Sequence, residues 1–330
     1  MDERRVYSNF GPLNVELERR YADRFNVARN QVVACANATL GLQGAAHVSD
    51  ADRFVVPAWT FAATPLAVVG ALAEVDFVDV RSADWQADAT ASPAVRAIMP
   101  VLPFGAELDP TPWIGFDEVV VDAAASGGMV FRDLSWLRPG WAVVISLHAT
   151  KVLGAGEGAI VVFGTAERAQ RFRDYIVLGF ADRRESEHIG TNAKLSEMAA
   201  AYALAALDGW ETELSDWASS RALVAQAERD LGVGSVCSAY PGASPYWIIE
   251  LASPEQVRRC ETALSSNGIG SRRWWPVPCT RMPAFVDSWG EFDTPVSDRL
   301  AATTLGLPFF RDLTATDVDQ VVAALAPVIS

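Results

Sequence analysis

One lysine on a glycine-rich turn dominates the chemistry this chain can do. Lys151 stands in Ser146-Leu147-His148-Ala149-Thr150-Lys151-Val152-Leu153-Gly154-Ala155-Gly156-Glu157-Gly158-Ala159, between the apolar runs 141–145 and 160–163. Partial desolvation at the mouth of a buried sheet favours the neutral amine, a nucleophile able to form a Schiff base with a carbonyl. Ser146 and the glycines suit a phosphate and a close backbone approach to it. The Gly-Lys-Ser/Thr ending of a nucleotide P-loop is missing. A lysine, a phosphate site and a carbonyl partner together suggest pyridoxal phosphate (PLP).

Three further segments lie at ends of β-like runs. Val119-Val120-Val121-Asp122 ends on a carboxylate. It serves either to cap the next helix or to keep the pyridine nitrogen of PLP protonated. Asn37-Ala38-Thr39 leads into a helix candidate, 40–46, as a phosphate-binding helix start or a simple Asn37 cap. Pro57-Ala58-Trp59-Thr60-Phe61-Ala62-Ala63-Thr64 sets Phe61 where it stacks on a planar cofactor or packs in the core. Phosphate loop, aromatic loop, strand-end Asp and turn Lys follow one another along successive βα units, an order more specific than any one of them.

The elements that must carry these residues alternate. Apolar runs at 31–35, 54–56, 75–80, 97–102, 118–122, 141–146 and 158–163 are mostly continuous, as in strands covered on both faces of a mostly parallel sheet. Leu13, Leu17, Tyr21 and Phe25 mark one helix face before them, and 65–73 reads as a helix between strands. Helices are expected over 166–177, 195–207 and 217–231, then strand 246–251, helix 254–267 and strand 269–275. Val318, Val321, Val322 and Leu325 mark a last helix, with Thr314 and Asp317 at a capping-box start. The expected organisation is a large α/β domain over 1–207, a connecting helix over 208–235 and a small α+β domain over 236–330.

At 330 residues, half of them apolar, the chain can bury a sizeable core. A formal charge of −14 argues against nucleic acid or an anionic membrane as partner, so an anionic substrate needs a local basic cluster. Four cysteines without CxxC spacing and three scattered histidines favour free thiols and no metal centre. Residues 1–5 lead into no secretory signal and no apolar run reaches membrane-spanning length, so a cytoplasmic protein is expected.

These segments resemble the DegT/DnrJ/EryC1/StrS sugar aminotransferases over nearly the whole chain. The likeness runs through Phe10-Gly11-Pro12 with Glu16 and Glu18, then 37–42, 57–64, Phe77-Val78-Asp79-Val80, Asp122-Ala123-Ala124 and 146–159. It continues through Gly190-Thr191-Asn192-Ala193-Lys194-Leu195-Ser196-Glu197, 268–273 and Leu305-Gly306-Leu307-Pro308. The resemblance implies PLP-dependent transferase fold type I, with a mostly parallel seven-stranded sheet in the large domain. It implies that Lys151 holds PLP and moves the substrate proton, Asp122 pairs with the pyridinium and Phe61 covers the ring. Ser146 and the backbone of Ala38 and Thr39 would hold the phosphate. Asn192 would reach it from the neighbouring subunit, making a homodimer with shared active sites.

Departures from the family pattern are Asn37-Ala38 in the phosphate loop, Ala125 where Gln or His is common, Lys194 for an arginine, and Cys279 for a histidine. The basic cluster for an anionic substrate is expected at Lys194, Arg272 and Arg273, beside Trp274 and Trp275, which either stack a sugar or base or pack between domains. His148 is a substrate contact or proton shuttle, or a structural histidine. The expectation is an aminotransferase of deoxysugar and polysaccharide biosynthesis. It would take its amine from glutamate and act on a nucleotide-linked keto-deoxysugar, the dTDP-4-keto-6-deoxyhexose or the 3-keto isomer. The rivals are a fold type I enzyme of other chemistry, disfavoured by the lysine, and a non-catalytic PLP- or sugar-binding regulator.

Overall fold

In the computed structural model, residues 5, 10–90, 94–126, 133–181, 183, 185–240, 244–290 and 292–329 are described. Met1 to Arg4, read above as lacking a signal, lie outside them. Helix α1 (Pro12–Phe25) starts on a proline and ends where Asn26 turns left-handed at φ 53°. Its buried stripe of Leu17, Tyr21 and Phe25 lies on the sheet. The fully buried carboxylate of Glu197 takes the amides of Leu13 at 2.8 Å and Asn14 at 2.9 Å, closing the helix start from across the molecule.

Seven strands form the main sheet: β1 (Val32–Cys35), β2 (Arg53–Pro57), β3 (Glu74–Val78), β4 (Ala97–Ile98), β5 (Glu118–Asp122), β6 (Trp141–Ser146) and β7 (Ala159–Phe163). Their order is β1-β7-β6-β5-β4-β2-β3. β7 runs antiparallel to both neighbours and the other pairs are parallel. The two-residue period of a strand divides each run between two cores. On β6, Val143 and Ile145 join α1 and α5 (Glu197–Asp208), whereas Ala142 and Val144 join the other layer. That layer holds α2 (Ala38–His47), α3 (Ala63–Gly70) and α4 (Ala166–Ile176).

The run 97–102 makes a shorter strand than its hydrophobicity suggests. Pro100 has no N–H for the ladder, so pairing stops at Ile98 and resumes only as a Val101–Asp122 bridge. Gly209 separates α5 from α6 (Trp210–Leu231), which therefore begins earlier than residue 217.

A second sheet joins β8 (Trp247–Glu250) antiparallel to β9 (Thr304–Leu307), packed with α6, α7 (Pro254–Ser266) and α10 (Ala315–Ile329). Between α7 and β9 come α8 (Pro283–Trp289) and α9 (Pro295–Thr303). The expected strand 269–275 is not one: it touches β9 through a single Arg272–Gly306 bridge. The Trp274 indole lies over Gly306, where an added Cβ would stand 2.5 Å from its nitrogen, so a side chain borders β9 in place of a third strand. The Thr314–Asp317 capping box is reciprocal, each side chain accepting the other's amide. No helix of the described residues is long and apolar enough to cross a membrane.

Candidate active site

The parallel strands end on one edge, and the site is assembled there. Asp122 closes β5 with its backbone fixed on both sides: its N–H donates to Pro100 O at 2.8 Å and its carbonyl accepts from Leu102 at 2.9 Å. Its side chain is 6 % exposed. One oxygen accepts the Thr64 hydroxyl at 2.8 Å and the other the amide of Ala124 at 3.1 Å. The Thr60 hydroxyl lies 3.0 Å behind that of Thr64. Burial pushes the Asp122 carboxyl above its ordinary range, against the opposing pull of Thr64, Ala124 and the Lys151 charge. No helix stands between β5 and β6 among the described residues, so the Ala124 amide closes a turn with one oxygen, and the hydrogen-bond donors to the carboxylate are all neutral.

Lys151 sits at the tip of the β6–β7 hairpin. Leu147 and Ala149 donate across it to Gly158 and Gly156, each at 2.9 Å, and Ala155 donates back to Leu147 at 2.8 Å. The turn needs its glycines: a Cβ at Gly154 would lie 2.5 Å from Ala149 O, and Gly156 has φ 89°. The half-buried Lys151 donates through Nζ to the Tyr246 hydroxyl at 2.8 Å.

At the start of α2 the Asn37 side chain caps Leu40 N–H at 2.9 Å, and Asn37 O takes the first helical bond from Gly41 at 3.0 Å. The cap therefore leaves the amides of Ala38 and Thr39, so capping and phosphate binding are compatible readings. The buried Ser146 hydroxyl accepts His148 N–H at 3.2 Å.

These residues line one cleft of about 630 Å³. Ala38, Thr39, Phe61, Asp122, Ser146, His148, Lys151 and Arg272 all border it. Phe61 is 64 % exposed, a ring free to cover a ligand. His148 borders the cleft while its Nδ1 is tied to the Thr150 hydroxyl at 2.9 Å. The Arg272 guanidinium lies 4.2 Å from the Trp274 ring centre. Trp275 stacks on Phe104 at 4.4 Å and meets Trp59 edge-on at 5.0 Å. Both tryptophans line the cleft, Trp274 under the Arg272 cation and Trp275 as part of the aromatic packing with Phe104 and Trp59.

Arg273, Lys194, Asn192 and Cys279 do not line this cleft. Arg273 donates to Ala301 O at 2.6 Å. Lys194 bonds the exposed Asn192 side chain, and neither reaches the cleft of its own chain. Cys279 braces the aromatic loop: its amide donates to Ala58 O at 2.7 Å and its thiol to Thr60 O at 3.5 Å. Burial pushes that thiol up to about 12.

Tyr246, Thr64, Phe104 and Glu157 belong to the site and were not singled out by sequence reasoning. Thr64 lay within a quoted motif, so its hydroxyl was legible. Tyr246 read only as the start of a strand. As a set, the residues fit the three polar ends of PLP. A buried carboxylate with only neutral hydrogen-bond donors suits the ring nitrogen, helix-start amides beside a serine suit the phosphate, and a lysine amine suits the carbonyl.

A model of the DegT/DnrJ/EryC1/StrS aminotransferase family matches residues 1–326. UDP-2-acetamido-2-deoxy-3-oxo-D-glucuronate aminotransferase of Pseudomonas aeruginosa is 26 % identical, over 96 % of this chain and 90 % of its own. dTDP-4-amino-4,6-dideoxy-D-glucose transaminase of Shigella dysenteriae is 25 % identical, over 98 % and 92 %. Among solved structures, DesI in the presence of its TDP-sugar product is 29 % identical with a TM-score of 0.85, covering 98 % of this chain and 86 % of DesI.

Proposed function

The chain belongs to the DegT/DnrJ/EryC1/StrS aminotransferase family, and from that premise we propose that it carries an amino group from glutamate to a nucleotide-linked keto-deoxysugar. Its cofactor is pyridoxal phosphate. When bound, this group supplies an electron-poor ring that stabilises negative charge on the substrate carbon. Lys151 would hold the cofactor's carbonyl carbon through Nζ, and its amine would take and return the proton of the substrate carbon. Asp122 would keep the ring nitrogen protonated, which would give its buried carboxylate a charged hydrogen-bond partner. The amides of Ala38 and Thr39 and the Ser146 hydroxyl hold the phosphate, and Phe61 covers the ring.

Asn192 completes the phosphate site from a neighbouring subunit, with Lys194 bonded beside it, so the working form is a homodimer with shared sites. The unit 1–207 carries the cofactor, and 236–330, joined through 208–235, carries the recognition surface. There Arg272 on Trp274 offers a cation and a flat face to a nucleotide diphosphate. Arg273, tied to Ala301, supports that wall from behind. The protein works in the cytoplasm on small molecules.

What carries this reading is the meeting of Lys151, the buried Asp122 and the α2 start in one cleft with Arg272. A dTDP-4-keto-6-deoxyhexose is the favoured acceptor, in line with the names of the Shigella transaminase and of the DesI complex. The Pseudomonas relative, named for a 3-oxo sugar, favours the 3-keto alternative. The test is an absorbance spectrum with PLP before and after glutamate, followed by each keto-sugar. A visible band that glutamate converts to the near-ultraviolet amine form, absent in Lys151→Ala, is expected. A wild-type band indifferent to glutamate would remove glutamate as donor, and no band would remove the enzyme.

A further inference from the structure

Lys151 Nζ donates to the Tyr246 hydroxyl at 2.8 Å, and Tyr246 lies immediately before β8, far along the chain from the lysine turn. Its side chain is held rather than free. Tyr246 is 7 % exposed, and its ring meets Phe104 edge-on at 5.3 Å and Trp274 edge-on at 5.0 Å. Phe104 is itself fixed, with φ 52° and its carbonyl accepting the Ser244 hydroxyl at 2.6 Å. Ala125 packs against the same aromatic cluster and offers only a methyl.

We propose that Tyr246 is a positioning residue for Lys151 and also the hydrogen-bond donor to the phenolic oxygen of the cofactor. The inference rests on the reading that Lys151 carries PLP. In that molecule the phenolic oxygen and the carbonyl carbon sit on adjacent ring atoms. A nitrogen joined to the carbonyl carbon therefore lies beside the phenolic oxygen, and a hydroxyl that bonds the one neighbours the other. While Lys151 is an ammonium, it donates to Tyr246 Oη. Once the nitrogen is committed to the cofactor, the hydroxyl turns its own proton to the phenolic oxygen. That bond favours the form with most negative charge on the oxygen, the deprotonated chromophore.

Tyr246→Phe keeps the ring and its contacts and removes only the hydroxyl. The measurement is a pH titration of the visible band of the PLP-loaded protein. The midpoint is expected to rise by about one pH unit, roughly tenfold in proton affinity. Asp122, His148, Glu157 and Arg272 also border the cleft and are the same in both proteins, so they cancel in the difference. Phe104→Leu keeps the hydroxyl but removes one ring that holds it, and should shift the midpoint the same way by less. An unchanged midpoint in Tyr246→Phe would leave Tyr246 a packing residue and overturn the proposal while PLP attachment stands. A wild type without any visible band would sink the attachment and the proposal together.

Discussion

Two aspartates end parallel strands at the same edge of the main sheet, and their surroundings give them opposite uses. Asp79 follows β3 and is spent on structure. Its oxygens take the amides of Val80, Val296 and Ser297, each at 2.8 Å, and the Ser297 hydroxyl at 2.6 Å. It thereby closes the start of α9, whose own first residues supply no side-chain cap. Asp122 ends β5 and meets one hydroxyl and one amide in a buried setting that raises its proton affinity. A strand-end carboxylate is thus a chemical group only where the fold withholds its partners. Where the fold supplies them, it is a fastener.

The pair makes a contrast that experiment can test in decreasing order of effect. Asp122→Ala should cut turnover roughly 10²–10³-fold, because the ring loses its charged partner. PLP affinity, followed by titrating the visible band, should fall about tenfold to a hundredfold. If kinetics and affinity were unchanged, Asp122 would be a second fastener. Asp79→Ala should do the reverse, costing ~2 kcal/mol of stability with PLP binding per folded molecule retained. Its melting temperature would fall by several degrees. An unshifted melting curve would show that α9 closes without Asp79.

The smallest effect concerns pH. In the cofactor-free protein the Asp122 carboxyl binds its proton more tightly when folded than when unfolded. Its contribution to stability is therefore complete below the ordinary carboxylate range and is lost as pH rises through the raised value. At neutral pH the folded state therefore holds less of that contribution than it does in acid. Cofactor-free Asp122→Asn should then melt above the wild type at pH 7, by on the order of 1 kcal/mol, with the gap closing toward pH 4. A gap that widened in acid would assign the strain elsewhere.

Asp79 and Asp122 looked alike in sequence, since each closes an apolar run. Neighbouring residues fixed what was legible: the continuous runs of β5, β6 and β7, the Asn37 cap, the glycine turn around Lys151 and the Thr314–Asp317 box. Features that depend on distant partners were not. The partner of β8 is β9, which lay unread within a short Leu-Gly-Leu motif, because Trp274 and not a strand fills the space beside it. Arg272 and Arg273 are adjacent in sequence, yet one faces the cleft and the other a carbonyl. Tyr246 reaches Lys151 only because the second sheet region folds over the first.

The way α1 and β1 are tied down has a consequence for how the chain is made. β1 pairs with β7, and the amides at the start of α1 end on Glu197. Both partners leave the ribosome long after the segments that need them. During synthesis the stripe of Leu17, Tyr21 and Phe25 and the strand Val32–Cys35 must wait unpaired while β2 to β6 emerge. α1 and β1 are therefore made before β2 to β6 yet reach their partners only after those strands have emerged, and in that interval they are a stretch for a holding chaperone to cover.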